Sequence, residues 1–170
     1  MQRSYTWETV TSLLAVDIGN TNITIGAFDD QELTATWRLA TRETRTIDEH
    51  AWAIQGVLRS KNVEPDSFDA VVICSVVPPL TEAYSEALST LTGHAPLVIG
   101  PGVRTGIRIH YDRTQDVGAD RIVDAIAAHH LYGGALVAAG GTVAIYNADE
   151  GLFRTLRVVR SIAPMFADFQ

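Results

Sequence analysis

The stretch Leu13-Leu14-Ala15-Val16-Asp17-Ile18-Gly19-Asn20-Thr21-Asn22 decides the fold of this chain. Its apolar first half predicts a short buried strand, and Gly19-Asn20 predicts the turn that ends it. A second strand is predicted over Ile23–Phe28, and a third over Leu33–Leu39 after the polar turn Asp29–Gln31. Strands joined by such short connections form an antiparallel meander.

Helices and strands alternate after this meander. Thr46 and Glu49 have the spacing of a capping box, and apolar residues recur at helical spacing from Ile47 to Leu58, which predicts a first helix. The Val/Ile-rich run Phe68–Ser75 predicts a buried parallel strand. Pro78-Pro79 then opens a second helix, because proline suits the first helical positions.

The remaining pattern repeats the first one. A short strand is predicted over Leu97–Ile99 and a third helix from about Gly118 to Tyr132. Apolar residues then flank a glycine turn, over Ala135–Ala139 and Val143–Tyr146, as they do around Gly19. Such an internal echo is typical of two-lobed folds.

Composition excludes several classes of function. The chain has 170 residues, 46% of them hydrophobic, which is ordinary for a globular protein. Its net charge of −7 and its lack of a Lys/Arg cluster argue against nucleic-acid binding. The apolar run Leu13–Ile18 is too short for a signal peptide or a membrane span, so we expect a cytoplasmic protein with no membrane partner. The single cysteine, Cys74, is predicted to be a buried core thiol.

The polar residues after the first strand suggest a phosphate site. Asp17 closes the strand, Gly19 permits a tight turn, and Asn20–Asn22 can direct N–H groups and hydroxyls outward. Such donors suit phosphate oxygens, and Asp17 is placed to hold a hydrated divalent cation. The spacing fits equally well a plain β-hairpin that uses Gly and Asn because they tolerate positive φ.

A second candidate site lies at the start of the third helix, in Gly118-Ala119-Asp120-Arg121. Asp120 can serve as a general base toward a hydroxyl, and Arg121 can grip a carboxylate or amide of the acceptor. The alternative is an acid that complements the helix dipole beside a surface arginine, and the motif alone favours it. The glycine-rich segment Gly100–Gly106 lacks the Walker spacing and is either a binding loop or an irregular crossover.

Together these segments resemble the type III pantothenate kinases in their order and spacing. The matching stretches are Leu14–Asn22, Arg45–Glu49, Ser75–Leu80, Gly100–Gly106 and Val117–Arg121. That family belongs to the sugar kinase, Hsp70 and actin superfamily, in which two ribonuclease-H-like lobes clasp a nucleotide. The resemblance implies an α/β fold with a complete first lobe over residues 12–115 and an incomplete second lobe over residues 116–170.

The resemblance also implies an activity and its site. Members phosphorylate pantothenate with ATP, the first step of coenzyme A synthesis, and they use Mg²⁺, a monovalent cation (K⁺ or NH₄⁺) and a homodimeric assembly. The implied nucleotide site consists of Asp17, Ile18, Gly19, Asn20, Thr21, Asn22, Ile23, Thr24 and Thr142, with the metal at Asp17. Asp120 is the implied catalytic base, and the implied pantothenate contacts are Tyr111, Gly118, Ala119, Asp120 and Arg121.

Two departures from the family pattern qualify this expectation. Ala139 stands where the family has the aspartate of its second phosphate hairpin, and a methyl group cannot coordinate a monovalent cation. The chain ends at Gln170, where the family continues for most of another lobe. We therefore expect impaired turnover. The alternatives are a non-catalytic relative that binds nucleotide or a partner subunit, and a gene product without a selected role.

Overall fold

The computed structural model of the chain describes residues 10–30, 32–100, 118–123, 137–139, 142–147 and 152–156. Side-chain surroundings are described as far as residue 123. Among the described helices, none combines the length and the hydropathy that a bilayer crossing requires.

A five-stranded mixed sheet dominates the described part of the chain, with the strand order β3-β2-β1-β4-β5. Its strands are β1 (Ser12–Ile18), β2 (Asn22–Asp29), β3 (Glu32–Ala40), β4 (Ala70–Ser75) and β5 (Leu97–Ile99). The first three strands are antiparallel, whereas β4 runs parallel to β1 and β5 parallel to β4. The predicted meander and parallel strand are therefore confirmed, and the sheet is that of a ribonuclease-H-like lobe.

Two helices connect these strands. Helix α1 (Ile47–Arg59) begins with the predicted capping box, in which Glu49 N–H donates to Thr46 Oγ1 (3.3 Å) and Thr46 N–H donates to Glu49 Oε2 (2.8 Å). Helix α2 (Pro78–Thr92) ends at Gly93, whose φ of 74° lies in the left-handed region that glycine adopts most easily. Strand β4 begins two residues later than predicted, because a 3₁₀ turn at Pro65–Ser67 precedes it.

The two faces of the sheet carry separate cores. The side chains of Leu14, Val16 and Ile18 belong to a cluster that includes the buried residues of α1 and α2. Leu13 and Ala15 belong to the opposite cluster, together with Cys74 and the helical segment 119–123. Strand β1 is thus buried on both faces, as its apolar run predicts, and Cys74 is fully buried as expected.

A second, three-stranded antiparallel sheet follows, in the order β6-β7-β8. Its strands are β6 (Val137–Ala139), β7 (Thr142–Asn147) and β8 (Leu152–Leu156). The two apolar segments of the predicted repeat are confirmed as β6 and β7, and the glycine turn between them lies outside the described residues. Strand β8 is not anticipated from the sequence. Residues 119–123 are helical and agree with the start of the predicted third helix, whose remainder lies outside the described residues. The lobe boundaries at residues 115 and 116 stay a prediction.

His50 is a buried polar residue between α1 and α2. It is 1% exposed, its ring centroid lies 4.8 Å from that of Tyr84, and neither ring nitrogen has a hydrogen-bond partner among the described residues. Burial, and then the positive charge of Arg45, lower the pKa of His50, although the charge of Glu49 opposes this shift. The folded chain therefore holds His50 neutral at pH values where the unfolded chain protonates it.

We expect His50→Leu to raise the free energy of unfolding by about 1 kcal/mol at pH 7.5, because it removes two unsatisfied buried polar atoms. The gain should grow as the pH falls below about 6.5, since only the unfolded wild type then takes up the extra proton. Urea denaturation of both proteins from pH 5 to 8 measures this difference. A difference that stays constant over that range, or that shrinks toward acid pH, would show that His50 is not buried neutral.

Candidate functional site

Asp17 lies near the carboxyl end of the central strand β1. Its register partners are Thr24 on β2 and Cys74 on β4. By the alternation of β1, its side chain lies on the face of Leu13 and Ala15, the face against which residues 119–123 pack. Asp17 is half-buried, so one carboxylate interrupts an otherwise apolar strand at the edge of the second core.

The electrostatics of Asp17 link it to the second candidate motif. Burial, and after it the negative charge of Asp120, together raise the pKa of Asp17 from 3.8 to about 6. The structure therefore brings together two acids that are far apart in the sequence. Two carboxylates that repel one another in a partly desolvated place favour a cation between them.

Asp120 is positioned by the packing of its helical segment. Ala119, Ile122 and Val123 are buried in the second core, whereas Arg121 is exposed. A Cβ atom at Gly118 would overlap the Asp120 carboxylate oxygen Oδ1, so a side chain at position 118 would displace this carboxylate. Gly118 O also accepts hydrogen bonds from the N–H groups of Arg121 (3.1 Å) and Ile122 (3.3 Å).

Protein donors occupy most of the carbonyl groups in the turn after β1. Four such bonds hold it: Val76 N–H to Ile18 O (3.1 Å), Thr41 Oγ1 to Gly19 O (2.7 Å), Thr41 N–H to Thr21 O (3.0 Å) and Gly19 N–H to Asn22 O (3.0 Å). By contrast, the N–H groups of Asn20 and Thr21 donate to no residue in the described part of the chain, and both residues are exposed. Three of the four carbonyl groups of residues 19–22 thus have a partner in the protein, while two N–H groups have none among the described residues. Backbone N–H groups left without a protein partner in a turn suit an anion.

The backbone angles weigh against the plain-hairpin interpretation of this turn. Positive φ occurs, among the described residues, only at Asp30, Asn62 and Gly93, so neither Gly19 nor Asn20 is there to supply a left-handed conformation. What Gly19 supplies is room. A Cβ atom at this position would lie 3.1 Å from Asn22 O, closer than an ordinary van der Waals contact.

The other predicted nucleotide contacts differ in what they can offer. The side chains of Ile18 and Ile23 are fully buried in the first core, so only their backbone groups can reach a ligand. Asn22 is exposed and Thr24 half-buried. The α2 N-terminus offers fewer donors than the turn, because the imino nitrogens of Pro78 and Pro79 carry no N–H.

Some predicted site residues can be placed only in part. Thr142, the first residue of β7, pairs in register with Ala139, the last residue of β6. Tyr111 lies outside the described residues, as does the glycine-rich segment after Gly100. Among the described residues, no group of three or more His, Cys, Asp or Glu side chains converges. A Mg²⁺ ion at Asp17 would therefore take most of its ligands from water and phosphate, as this ion usually does.

Thr41 is the residue of this site that the sequence analysis missed. It follows β3 and donates both of its hydrogen bonds to the turn. The sequence pattern alone carries no signal for Thr41, since its place opposite Thr21 follows from the register in which Asn22 pairs with Ala40.

The fold and the site define a class: a ribonuclease-H-like lobe with a donor-rich turn and a carboxylate beside it at the end of the central strand. A comparison with protein families narrows this class. The model of the type III pantothenate kinases matches residues 13–148. The chain belongs to the type III pantothenate kinase family.

Curated relatives agree with this membership. The chain is 42% identical over 137 residues to a type III pantothenate kinase of Moorella thermoacetica, covering 80% of this chain and 54% of the relative. It is 43% identical over 125 residues to one of Dehalococcoides mccartyi, covering 74% of this chain and 48% of the relative. The chain thus spans about half the length of these relatives. Among solved structures, a ROK hexokinase from Thermus thermophilus matches with a TM-score of 0.47 and 19% identity, over 72% of this chain and 38% of that one.

Proposed function

We propose that the chain binds MgATP and pantothenate as an ATP-dependent pantothenate kinase that forms 4′-phosphopantothenate, with turnover below that of an ordinary kinase. The observation that carries this proposal is the turn at Gly19–Asn22. Three of its four carbonyl groups are engaged by the protein, and the N–H groups of the exposed residues Asn20 and Thr21 donate to no described residue. The charge of Asp120 acts on Asp17 beside this turn. The family membership supplies the substrate.

Phosphoryl transfer asks a protein chiefly for positioning and charge neutralisation. The free N–H groups of the turn hold phosphate oxygens, and Asp17 holds the metal ion. When bound, Mg²⁺ neutralises charge on the phosphates. Asp120 accepts the proton of the pantothenate hydroxyl while the oxygen of this hydroxyl bonds to the γ-phosphorus. The bond between the γ-phosphorus and the β–γ bridging oxygen breaks at the same time, and ADP is released.

The raised pKa of Asp17 supports assigning the metal ion to Asp17 and the proton transfer to Asp120. A half-buried carboxylate beside a second acid is costly while it carries its charge alone, so it gains most from a cation. Asp120 is left to meet the acceptor, because its side chain lies against Gly118 rather than within the turn. Arg121 is exposed at the same helix start, and in this proposal its guanidinium pairs with the carboxylate of pantothenate.

A second candidate is a non-catalytic relative that binds nucleotide without turnover. Ala139 at the end of β6 favours it, because alanine offers no carboxylate for the monovalent cation that the family uses. Use of K⁺ or NH₄⁺ and a homodimeric assembly remain predictions taken from the family resemblance. A cytoplasmic location remains a prediction taken from the short first apolar run.

One experiment separates the two candidates. The purified chain is incubated with pantothenate, MgATP and KCl, ADP and 4′-phosphopantothenate are followed by mass spectrometry, and thermal unfolding is measured with and without MgATP. We expect MgATP to raise the melting temperature, because a ligand that binds only the folded state stabilises it. We also expect slow product formation. Stabilisation without any product favours the non-catalytic relative, and neither stabilisation nor product overturns both candidates.

Restoring the family aspartate tests the reason for slow turnover. We expect Ala139→Asp to increase the rate of product formation in KCl and not in a salt of a larger organic cation, because a carboxylate at this position can ligate a small cation. Ala138→Asp is the matched control, since it adds the same charge one residue away in β6. Equal effects of the two substitutions would contradict this explanation.

A further inference from the structure

Thr41 connects the end of β3 to the phosphate-binding turn through two hydrogen bonds. Its N–H donates to Thr21 O at 3.0 Å, and its hydroxyl Oγ1 donates to Gly19 O at 2.7 Å. The first bond continues the β2–β3 ladder, whose last register pair is Asn22 with Ala40. The second bond reaches past β2 to Gly19, the residue that follows β1. Thr41 therefore donates hydrogen bonds to both sides of the turn.

The hydroxyl bond determines how the turn presents its donors. In a regular two-residue hairpin, Gly19 and Asn22 would exchange two backbone hydrogen bonds. Only Gly19 N–H to Asn22 O is present among the described residues, and Gly19 O accepts from Thr41 Oγ1 instead. Because the C=O of Gly19 and the N–H of Asn20 belong to one trans peptide, they point in opposite directions. Because Thr41 Oγ1 holds the Gly19 C=O, the Asn20 N–H stays directed away from Thr41.

We propose that Thr41 is a positioning residue for phosphate binding, whose hydroxyl fixes the Gly19–Asn20 peptide so that the Asn20 N–H is available to a phosphate oxygen. The inference rests on the proposed function of the turn. Thr41 touches no substrate in this account, and it acts through the orientation of one peptide group. It adds a residue from the end of β3 to a site otherwise built from β1, β2 and the segment 118–121.

The chain offers a close control for this role. Thr34, on the same strand β3, donates its hydroxyl to Ala27 O of β2 at 3.0 Å. This bond also joins a threonine hydroxyl to a carbonyl in a half-buried place, but it lies near the register shift at Ala27 and Phe28, toward the other end of the β2–β3 pair. Loss of the Thr34 hydroxyl should cost comparable stability without disturbing the turn.

Isothermal titration of the whole chain with MgATP and, separately, with pantothenate tests the proposal on Thr41→Val, Thr41→Ser and Thr34→Val. We expect Thr41→Val to weaken MgATP binding by about 10-fold, in line with the loss of one hydrogen bond that orders a ligand group. Thr41→Ser keeps the hydroxyl and should bind within about 2-fold of the wild type. Thr34→Val should bind MgATP as the wild type does, and no variant should change the affinity for pantothenate.

Several results would overturn the inference alone. These are wild-type MgATP affinity in Thr41→Val, equal weakening in Thr41→Val and Thr34→Val, or the same loss in Thr41→Ser as in Thr41→Val. If Thr41→Val does not fold, Thr41→Ala replaces it, with Thr34→Ala as its control and the same expected contrast. A wild-type chain that binds no MgATP would instead overturn the proposed function, and this inference with it.

Discussion

Asp17→Asn is expected to make the ligand-free chain more stable at pH 7.5, by about 2 to 3 kcal/mol, while abolishing its stabilisation by MgATP. Burial and the charge of Asp120 raise the pKa of Asp17 from 3.8 to about 6, so the charged form is disfavoured in the fold. A shift of about two pKa units corresponds to about 3 kcal/mol. Asparagine removes this charge and replaces one carboxylate oxygen with an amide nitrogen, so only a neutral carbonyl oxygen is left for the metal.

The pH dependence has a definite sign. Between pH 3.8 and about 6 the folded chain retains a proton on Asp17 that the unfolded chain has released, so stability falls as the pH rises through this window. The loss is complete above that window. Urea denaturation of wild type and Asp17→Asn from pH 3.5 to 8 should therefore give curves that converge at acid pH and separate toward neutral pH.

Asp69→Asn is the matched control, because Asp69 accepts hydrogen bonds at the opposite end of β1. Its carboxylate oxygen Oδ2 accepts from Ser12 N–H (2.9 Å), Thr11 N–H (3.1 Å) and Thr11 Oγ1 (3.0 Å). The bonds from the Ser12 and Thr11 N–H groups hold the pKa of Asp69 below its usual value. Asp69→Asn should thus destabilise the chain at neutral pH and leave MgATP binding unchanged. Destabilisation by Asp17→Asn, or full MgATP stabilisation of that variant, would contradict the role given to Asp17.

Asp120→Asn is expected to reduce product formation by a factor of about 10² to 10⁴, the range that general-base catalysis contributes. MgATP binding should persist, because the turn and Asp17 are unchanged. The substitution also removes the charge that raises the pKa of Asp17, so the pH at which the metal binds should move toward acid. Product formation by mass spectrometry and the pH dependence of MgATP affinity measure the two effects.

The MgATP affinity of Asp120→Asn serves as the internal control for folding and nucleotide binding. An unchanged rate of product formation with unchanged affinity would remove Asp120 from the chemistry. Loss of MgATP binding together with the rate would assign Asp120 to the metal site rather than to proton transfer.

The parts of the fold that were predicted correctly depend on local signals. The apolar run before Gly19, the capping box at Thr46 and Glu49, and Pro78-Pro79 each specify an element within a few residues of themselves. Strand β8 was not anticipated, because Leu152–Leu156 is short, contains Arg154, and owes its form to pairing with β7. Local pattern cannot reveal a partner supplied by the fold.

The candidate site shows the same division. Asp17 and Asp120 stood out as acids at an apolar strand end and a helix start, but only the packing of residues 119–123 on the second face of the sheet brings their charges together. The role proposed for Thr41 depends on the strand register across the meander. A threonine after a strand does not by itself indicate a contact with a distant turn. The sequence of the turn fits a phosphate site and a plain hairpin equally well, and its backbone angles and hydrogen bonds weigh against the plain hairpin.

The central claim is that the free N–H groups of the turn bind phosphate. An amide-resolved NMR titration of the whole chain with MgATP tests it most directly. We expect the amide resonances of Asn20 and Thr21 to be among those of the chain that shift most as MgATP binds. We expect these shifts to disappear in Asp17→Asn. MgATP binding that leaves both amides unmoved would contradict it.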